Sequence, residues 1–385
     1  HRLQSKLAEL LVCCFRPPAT ASSQEAVVKE EPREPAAQTI AKGTLLDKHA
    51  ITPDQIKVDM APQLNRRPRL LITNDDGINA PGLRRLVEEI TKADFADVWV
   101  CAPSGERSAQ SHAITLGRYM SCAPSELAGT MEAYAVDGTP ADSVMLALHS
   151  PLLAGGSAEF DLVVSGINRG DNCGLHVIYS GTVGAAREAA CKGLPSIALS
   201  LDNHMARKAD DYTLSAQLSV TVIKATLGLL PGQPAIPGPN GGDATTAAQV
   251  LRGAVLNVNF PIGQGQMMQG FHLTHQSLGC VFPAFKEVQE ASGPHLAEID
   301  EHTPNSRVFR NYAGLVQEDD TEGGDGWAVR HGWVSVTPLG LRQDLPGRIG
   351  PGLDKRVEDI VAAASSVVRA AAHDTGLSVG GLAKL

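Results

Sequence analysis

From residue 67 onward, short apolar runs alternate with amphipathic stretches. Arg67-Pro-Arg-Leu-Leu-Ile-Thr is an apolar run that ends in Asn74-Asp-Asp-Gly; it predicts a buried strand entering a turn. In Pro81-Gly-Leu-Arg-Arg-Leu-Val-Glu-Glu-Ile, Leu83, Leu86, Val87 and Ile90 fall at helical spacing, and Pro81 suits a first helical turn. Further strands are predicted at 96–103, 132–137, 161–165 and 196–200. Helices are predicted from Ala141 and over 183–192, the second stopped by Gly193 and Pro195. Strand alternating with helix predicts an α/β protein built on a doubly wound, parallel sheet.

The second half is less regular. Residues 215–230 read as a helix, 231–242 as a loop rich in Gly and Pro, and 254–261 as a strand. Residues 268–340 mix short alternating runs, of which Gly332-Trp-Val-Ser-Val-Thr-Pro-Leu is the clearest strand. Val357, Ile360, Val361, Ala364, Val367, Val368 and Ala371 make an apolar stripe on a helix. Residues 1–66 look different: after a short helical stretch at 3–13, Arg16-Pro-Pro-Ala-Thr-Ala-Ser-Ser and Lys29-Glu-Glu-Pro-Arg-Glu-Pro predict a disordered leader. Position 1 is His rather than Met, so a cleaved or truncated targeting segment, such as one for a plastid, stays open, although its Glu residues argue against one.

Composition narrows the classes. With 33 Lys and Arg against 42 Asp and Glu, the net charge is −9, unsuited to stable nucleic-acid binding. Aromatics at 4% do not supply base-stacking platforms. Apolar runs are too short for a membrane span. Seven cysteines, at 13, 14, 101, 122, 173, 191 and 280, form neither a disulfide framework nor a CxxC pair. A reducing compartment, the cytoplasm first, fits them, with Cys101 and Cys191 expected to pack as small hydrophobes.

Ligands of parallel α/β sheets sit beyond the carboxyl ends of the strands. Four polar clusters follow strands there: Asn74-Asp75-Asp76-Gly77, the run from Ser104 to His112, Asp137-Gly-Thr-Pro, and Ser165-Gly-Ile-Asn168-Arg-Gly-Asp-Asn172. Adjacent carboxylates repel each other unless a cation or proton sits between them, and nearby hydroxyl and amide oxygens suit Mg²⁺ or Mn²⁺. The same Asn-Asp-Asp-Gly also reads as a plain turn. Tyr179-Ser-Gly-Thr-Val precedes a helix and reads either as a phosphate cradle or as N-capping by Thr182. A metal and an anion cradle on one edge point to phosphoryl hydrolysis. His112 and His176 are read either as substrate contacts or as packing residues.

Ile72-Thr-Asn-Asp-Asp-Gly-Ile-Asn-Ala-Pro-Gly resembles the N-terminal signature of the survival-protein SurE family of nucleotidases and phosphatases. Val136-Asp-Gly-Thr-Pro-Ala-Asp, Val164-Ser-Gly-Ile-Asn-Arg-Gly-Asp-Asn-Cys-Gly running into Val177-Ile-Tyr-Ser-Gly-Thr-Val, and Val334-Ser-Val-Thr-Pro-Leu are also similar to it. The stretch around Asn172-Cys-Gly-Leu-His resembles the plant-type branch. The resemblance covers residues 67–340. It implies a Rossmann-like core over 67–230 and a β-rich extension over 250–340 for contacts in a homodimer or homotetramer. A helical tail, 341–385, lies outside it.

The resemblance further implies one divalent metal, Mg²⁺ or Mn²⁺, per subunit and hydrolysis of 5′- or 3′-nucleoside monophosphates. The implied metal ligands are Asp75, Asp76, Ser108 and Asn168. Asn74, Ser180, Gly181 and Thr182 would hold phosphate, and Asp75, Asp76 and Asn172 would be catalytic. Ala109 stands where many members have Gly, and His176 where bacterial members often have an acidic residue. Two rivals remain at this level. One is an aspartyl-phosphate phosphatase, although adjacent carboxylates lack that class's D-x-D spacing. The other is a non-catalytic nucleotide-binding module on the same fold.

Overall fold

The computed structural model describes residues 66–156, 159–231, 251, 253–261, 268–288, 307–341 and 358–366. All belong to one compact unit, Pro62–Leu385. The leader expected over 1–66 (Arg66 apart), most of the 231–247 loop and most of the tail lie outside the described residues.

The strands are β1 (Arg69–Thr73), β2 (Asp97–Pro103), β3 (Cys122–Pro124), β4 (Glu132–Val136), β5 (Leu162–Arg169), β6 (Ser196–Leu201), β7 (Ala254–Phe260), β8 (Gly270–Leu273), β9 (Cys280–Val288), β10 (Val308–Gln317) and β11 (Trp333–Gly340). The helices are α1 (Pro81–Lys92), α2 (Pro140–His149), α3 (His176–Tyr179), α4 (Gly181–Cys191), α5 (Thr213–Thr226) and α6 (Asp325–Arg330), with a further helical stretch, α7, at 358–366. Nine strands form one sheet in the order β3-β4-β2-β1-β5-β6-β7-β11-β8. It is parallel from β4 to β7, while β3 joins β4 and β11 joins β7 antiparallel, and β8 pairs with β11 in parallel. β9 and β10 form a separate antiparallel pair.

Both faces of the sheet are covered, which explains why its strands are apolar runs rather than alternating ones. Successive side chains of β1 part to opposite sides: Leu70 and Ile72 enter one core with Leu83, Leu86, Val87 and Ile90 of α1 and Val222 of α5. Leu71 enters another with Val144 of α2 and Ala185 and Ala189 of α4. Each fully buried Leu or Ile contributes about 2 kcal/mol. Ile360, Val361 and Ala364 of α7 are buried in the first core. Cys101 is buried as expected, but Cys191 is exposed, because as the last residue of α4 it projects past the packed stretch. Elements unread in the sequence were β3, β8, β9, β10, α3 and α6.

Candidate active site

Strand order reverses between β1 and β5: the chain runs outward through β2 and β4, then returns to the other side of β1. That is the switch point where parallel α/β sheets open a crevice. β1 delivers Asn74, Asp75 and Asp76 there, and β5 delivers Asn168. Asn74 is fully buried and braces the turn, its Nδ2 donating to Gly77 O at 2.9 Å and its Oδ1 accepting from Gly77 N at 3.2 Å. Gly77 has φ +98°, and a Cβ there would lie 2.9 Å from the backbone of Gly105, so the turn needs glycine.

Asp75 is 3% exposed. The Thr182 hydroxyl donates to its Oδ1 at 2.5 Å, and the Thr182 backbone N–H adds a further hydrogen bond that favours the charged form. The start of α4 thus already faces an anion, the carboxylate of Asp75. Capping of α4 falls to Ser180, whose Oγ accepts from Val183 N at 3.0 Å. Gly181 permits the approach: a Cβ there would stand 2.8 Å from Asp75 Cβ and 3.1 Å from Pro140 Cγ.

Burial first, and then the charge of Asp76, push the Asp75 carboxyl up to about 7 from an ordinary 3.8. The folded chain therefore keeps a proton that the unfolded chain sheds above 3.8. In chelator, stability from this group is full below that value and is lost as pH rises through about 7. The shift of roughly three units corresponds to about 4 kcal/mol. Urea unfolding of the parent and of Asp75→Asn at a series of pH values isolates it: the difference between the two curves should open between pH 4 and 7.

Asp76 Oδ2 accepts from Arg169 N at 2.9 Å, which ties β1 to the end of β5. Burial raises the Asp76 carboxyl as well. Arg169 pairs with Glu106 at 2.9 Å, and the Ser108 hydroxyl donates to the same Glu106 Oε1 at 3.0 Å. Arg107 N donates to Asp75 O at 2.7 Å, so the loop carrying Ser108 is held against the pair. Asn168 donates from Nδ2 to Gly170 O at 2.8 Å, which leaves its Oδ1 as an oxygen donor. Among the described residues no group of three His, Cys, Asp or Glu side chains stands ready for a metal. Any ion here would rely on two carboxylates together with amide and hydroxyl oxygens, a donor set that suits a hard cation. Two adjacent carboxylates, Asp75 buried and Asp76 half-buried, fit one, since the charge of Asp76 raises Asp75's cost of ionising.

A profile of the family described as survival protein SurE matches residues 70–281. The 5′-nucleotidase SurE 1 of Thermus thermophilus is 36% identical over 276 residues, 71% of this chain and 92% of that one. The chain belongs to the SurE family. The 5′-nucleotidase SurE of Syntrophus aciditrophicus is 35% identical over 273 residues, covering 70% of this chain and 87% of its own. The solved SurE structure from Aquifex aeolicus superposes with a TM-score of 0.52 at 28% identity, covering 76% of this chain and all of that one. These matches carry the SurE fold as well: a mostly parallel sheet between helices, with an antiparallel extension.

Two departures from the SurE pattern acquire a structural setting. Ala109 sits at φ +59°, the left-handed region that favours glycine; alanine holds it at a cost of about 1 kcal/mol. His176 places Nδ1 3.3 Å from Asp171 Oδ1, while its Nε2 accepts from Val281 N at 3.1 Å. It joins the loop after β5 to the extension. His112 pairs with Glu188 of α4 at 2.8 Å and so fastens the Ser108 loop to that helix.

Asn172 is 5% exposed and held on three sides. Its N–H donates to Asn259 Oδ1 at 2.7 Å, its C=O accepts from Asn257 Nδ2 at 2.8 Å, and its own Nδ2 donates to Ser200 Oγ at 2.8 Å. None of these bonds reaches the Asp75–Asp76 pair. Asn257 and Asn259 of β7 went unread as site residues; their signal was two polar positions inside an otherwise apolar strand. Asp325 was also missed. It is fully buried and accepts from Gly174 N, Ser277 N, Ser277 Oγ and Gly326 N. Asp325→Ala leaves these donors without an acceptor, at about 1–3 kcal/mol each, so thermal denaturation should show a loss of at least about 3 kcal/mol. An unchanged melting temperature would contradict that role.

Proposed function

We propose that this chain is a divalent-metal-dependent phosphomonoesterase that hydrolyses 5′- or 3′-nucleoside monophosphates to nucleoside and phosphate. The observation that carries the reading is the Asp75–Asp76 pair at the β1/β5 switch point, Asp75 buried and Asp76 half-buried, with Thr182 of α4 holding Asp75. Relatives at 36% and 35% identity are named 5′-nucleotidases, which supports the substrate class. Asp75, Asp76, Asn168 and Ser108 would hold one Mg²⁺ or Mn²⁺ per subunit. When bound, the ion acidifies a water and offsets charge on the phosphoryl oxygens.

The chain's own residues do the rest. Thr182 fixes the Asp75 carboxylate through Oδ1, and the Arg169 N–H fixes Asp76 through Oδ2. At the start of α4 the Thr182 and Val183 N–H groups already serve Asp75 and the Ser180 hydroxyl, so this helix start favours the phosphate through its dipole. Asn74 holds the turn that carries both carboxylates. Its three hydrogen bonds support a positioning role for Asn172, in the loop after β5, alongside the catalytic one expected of it.

A second copy of the chain is the expected partner, in a homodimer or homotetramer. Phe285, Phe309, Leu315 and Val316 are exposed on the β9–β10 pair, and apolar side chains gathered on one arm suit such contacts. No helix of the described residues is long and apolar enough to cross a membrane. The cytoplasm remains the reading from the cysteines, and the plant-type branch rests on the wording around Asn172. The test is phosphate release from a panel of 5′- and 3′-nucleoside monophosphates with chelator, Mg²⁺ or Mn²⁺. Release only with metal supports the proposal, whereas nucleotide binding without release under every condition would identify a non-catalytic module.

A further inference from the structure

A cavity of about 530 Å³ is lined, among others, by Asp171, His176, Asp202, Asp319, Asp320 and Arg330. Its size is that of a small-molecule site. Asp171 lies two residues beyond Arg169, whose N–H touches Asp76. Asp202 directly follows β6, two strands from β1, hence roughly 10 Å away along the same carboxyl edge. That is the distance over which a nucleoside extends from its phosphate.

The cavity's charged lining is mostly acidic, with Asp171, Asp202, Glu318, Asp319 and Asp320 against His176 and Arg330, so it disfavours a phosphate and admits the uncharged end of a phosphomonoester. Most of its half-buried carboxylates are committed. Asp171 faces His176 at 3.3 Å and His204 at 3.8 Å, and Asp319 accepts from Leu278 N and the Thr321 hydroxyl. Asp202 makes a backbone hydrogen bond to Phe260 O at 2.9 Å, but its carboxylate makes none to any described residue. Burial pushes this carboxyl up, as for an acceptor that lacks donors.

We propose that this cavity receives the nucleoside half of the substrate, with the Asp202 carboxylate accepting from its sugar hydroxyls or base amine. The proposal rests on the phosphomonoesterase reading above. The test compares adenosine 5′- and 3′-monophosphate with p-nitrophenyl phosphate, which has no nucleoside, in the full-length parent, Asp202→Ala and Asp202→Asn. Loss of a charged acceptor should raise KM for the better nucleotide roughly tenfold or more. KM for p-nitrophenyl phosphate and kcat for both should stay within about twofold in that case. Free adenosine should inhibit the parent competitively and Asp202→Ala much less. Asp202→Asn keeps an acceptor oxygen and should fall between.

Equal changes for nucleotide and p-nitrophenyl phosphate, or none for either, would overturn the subsite. So would a parent that hydrolyses both phosphomonoesters without favouring the nucleotide, and the phosphomonoesterase reading would then survive. A parent that releases phosphate from neither would overturn that reading, and the subsite with it.

Discussion

Asp75→Asn is expected to release no phosphate above background, and yet to melt higher than the parent in chelator at pH 8. Both results follow from one buried carboxylate. The loss of an anionic donor weakens the metal, and with it the charge stabilisation of hydrolysis; a fall of at least about 10³ in kcat/KM, near 4 kcal/mol, is expected. The gain in stability arises because Asp75 ionises only at a cost, burial and Asp76 having raised it to about 7. An amide of the same shape avoids that cost, and its oxygen can still accept from Thr182. The stabilisation should be on the order of 2–4 kcal/mol at pH 8 and vanish below pH 4. Full turnover at saturating Mg²⁺ or Mn²⁺ would remove Asp75 from the site. Loss of both activity and stability would make its charge a structural necessity instead.

Gly181→Val should be the most damaging single change at the start of α4. A Cβ at 181 would stand 2.8 Å from Asp75 Cβ and 3.1 Å from Pro140 Cγ. Neither atom can swing aside, because one sits on the β1 turn and the other in the first turn of α2. Valine adds two methyl groups to that clash, so α4 must move away from β1. Overpacking of this kind costs about 1–3 kcal/mol, and more where backbone must shift. Turnover should fall below that of Thr182→Val, which removes a hydroxyl from Asp75 but creates no clash. Melting temperature and kcat measured on both variants decide the ranking. A Gly181→Val protein with parental turnover would show that α4 and Asp75 do not need this approach.

The pieces of the site that were legible in the sequence are local ones. Asn74-Asp-Asp-Gly marks its own turn, because a short apolar run ends there and glycine permits the reversal. Ser180-Gly-Thr marks a helix start by the same logic. Their relation was not legible: the Thr182–Asp75 hydrogen bond joins residues 107 positions apart. The sequence pattern left the Thr182 hydroxyl between phosphate and cap, and only folding turned it toward a carboxylate. Asp325 stayed hidden because a lone Asp among glycines, in Gly323-Gly-Asp-Gly, reads as turn material. Its function is set by Gly174 and Ser277, which come from distant parts of the chain. The β9–β10 pair was obscured for another reason. Pro283 interrupts the alternation of β9, and its apolar side chains face outward, so no core periodicity marks it.

The central claim is that Asp75 and Asp76 together hold a divalent cation at the β1/β5 switch. Calorimetric titration of Mn²⁺ into the metal-free chain at pH 6.5, repeated in buffers of different ionisation enthalpy, tests it most directly. The account predicts one ion per chain, with release of a proton because Asp75 is largely protonated before the ion arrives. In Asp75→Asn, binding should be weakened at least tenfold and the proton release lost. Equal affinity and equal proton release in the parent and Asp75→Asn would contradict the account and place the metal elsewhere.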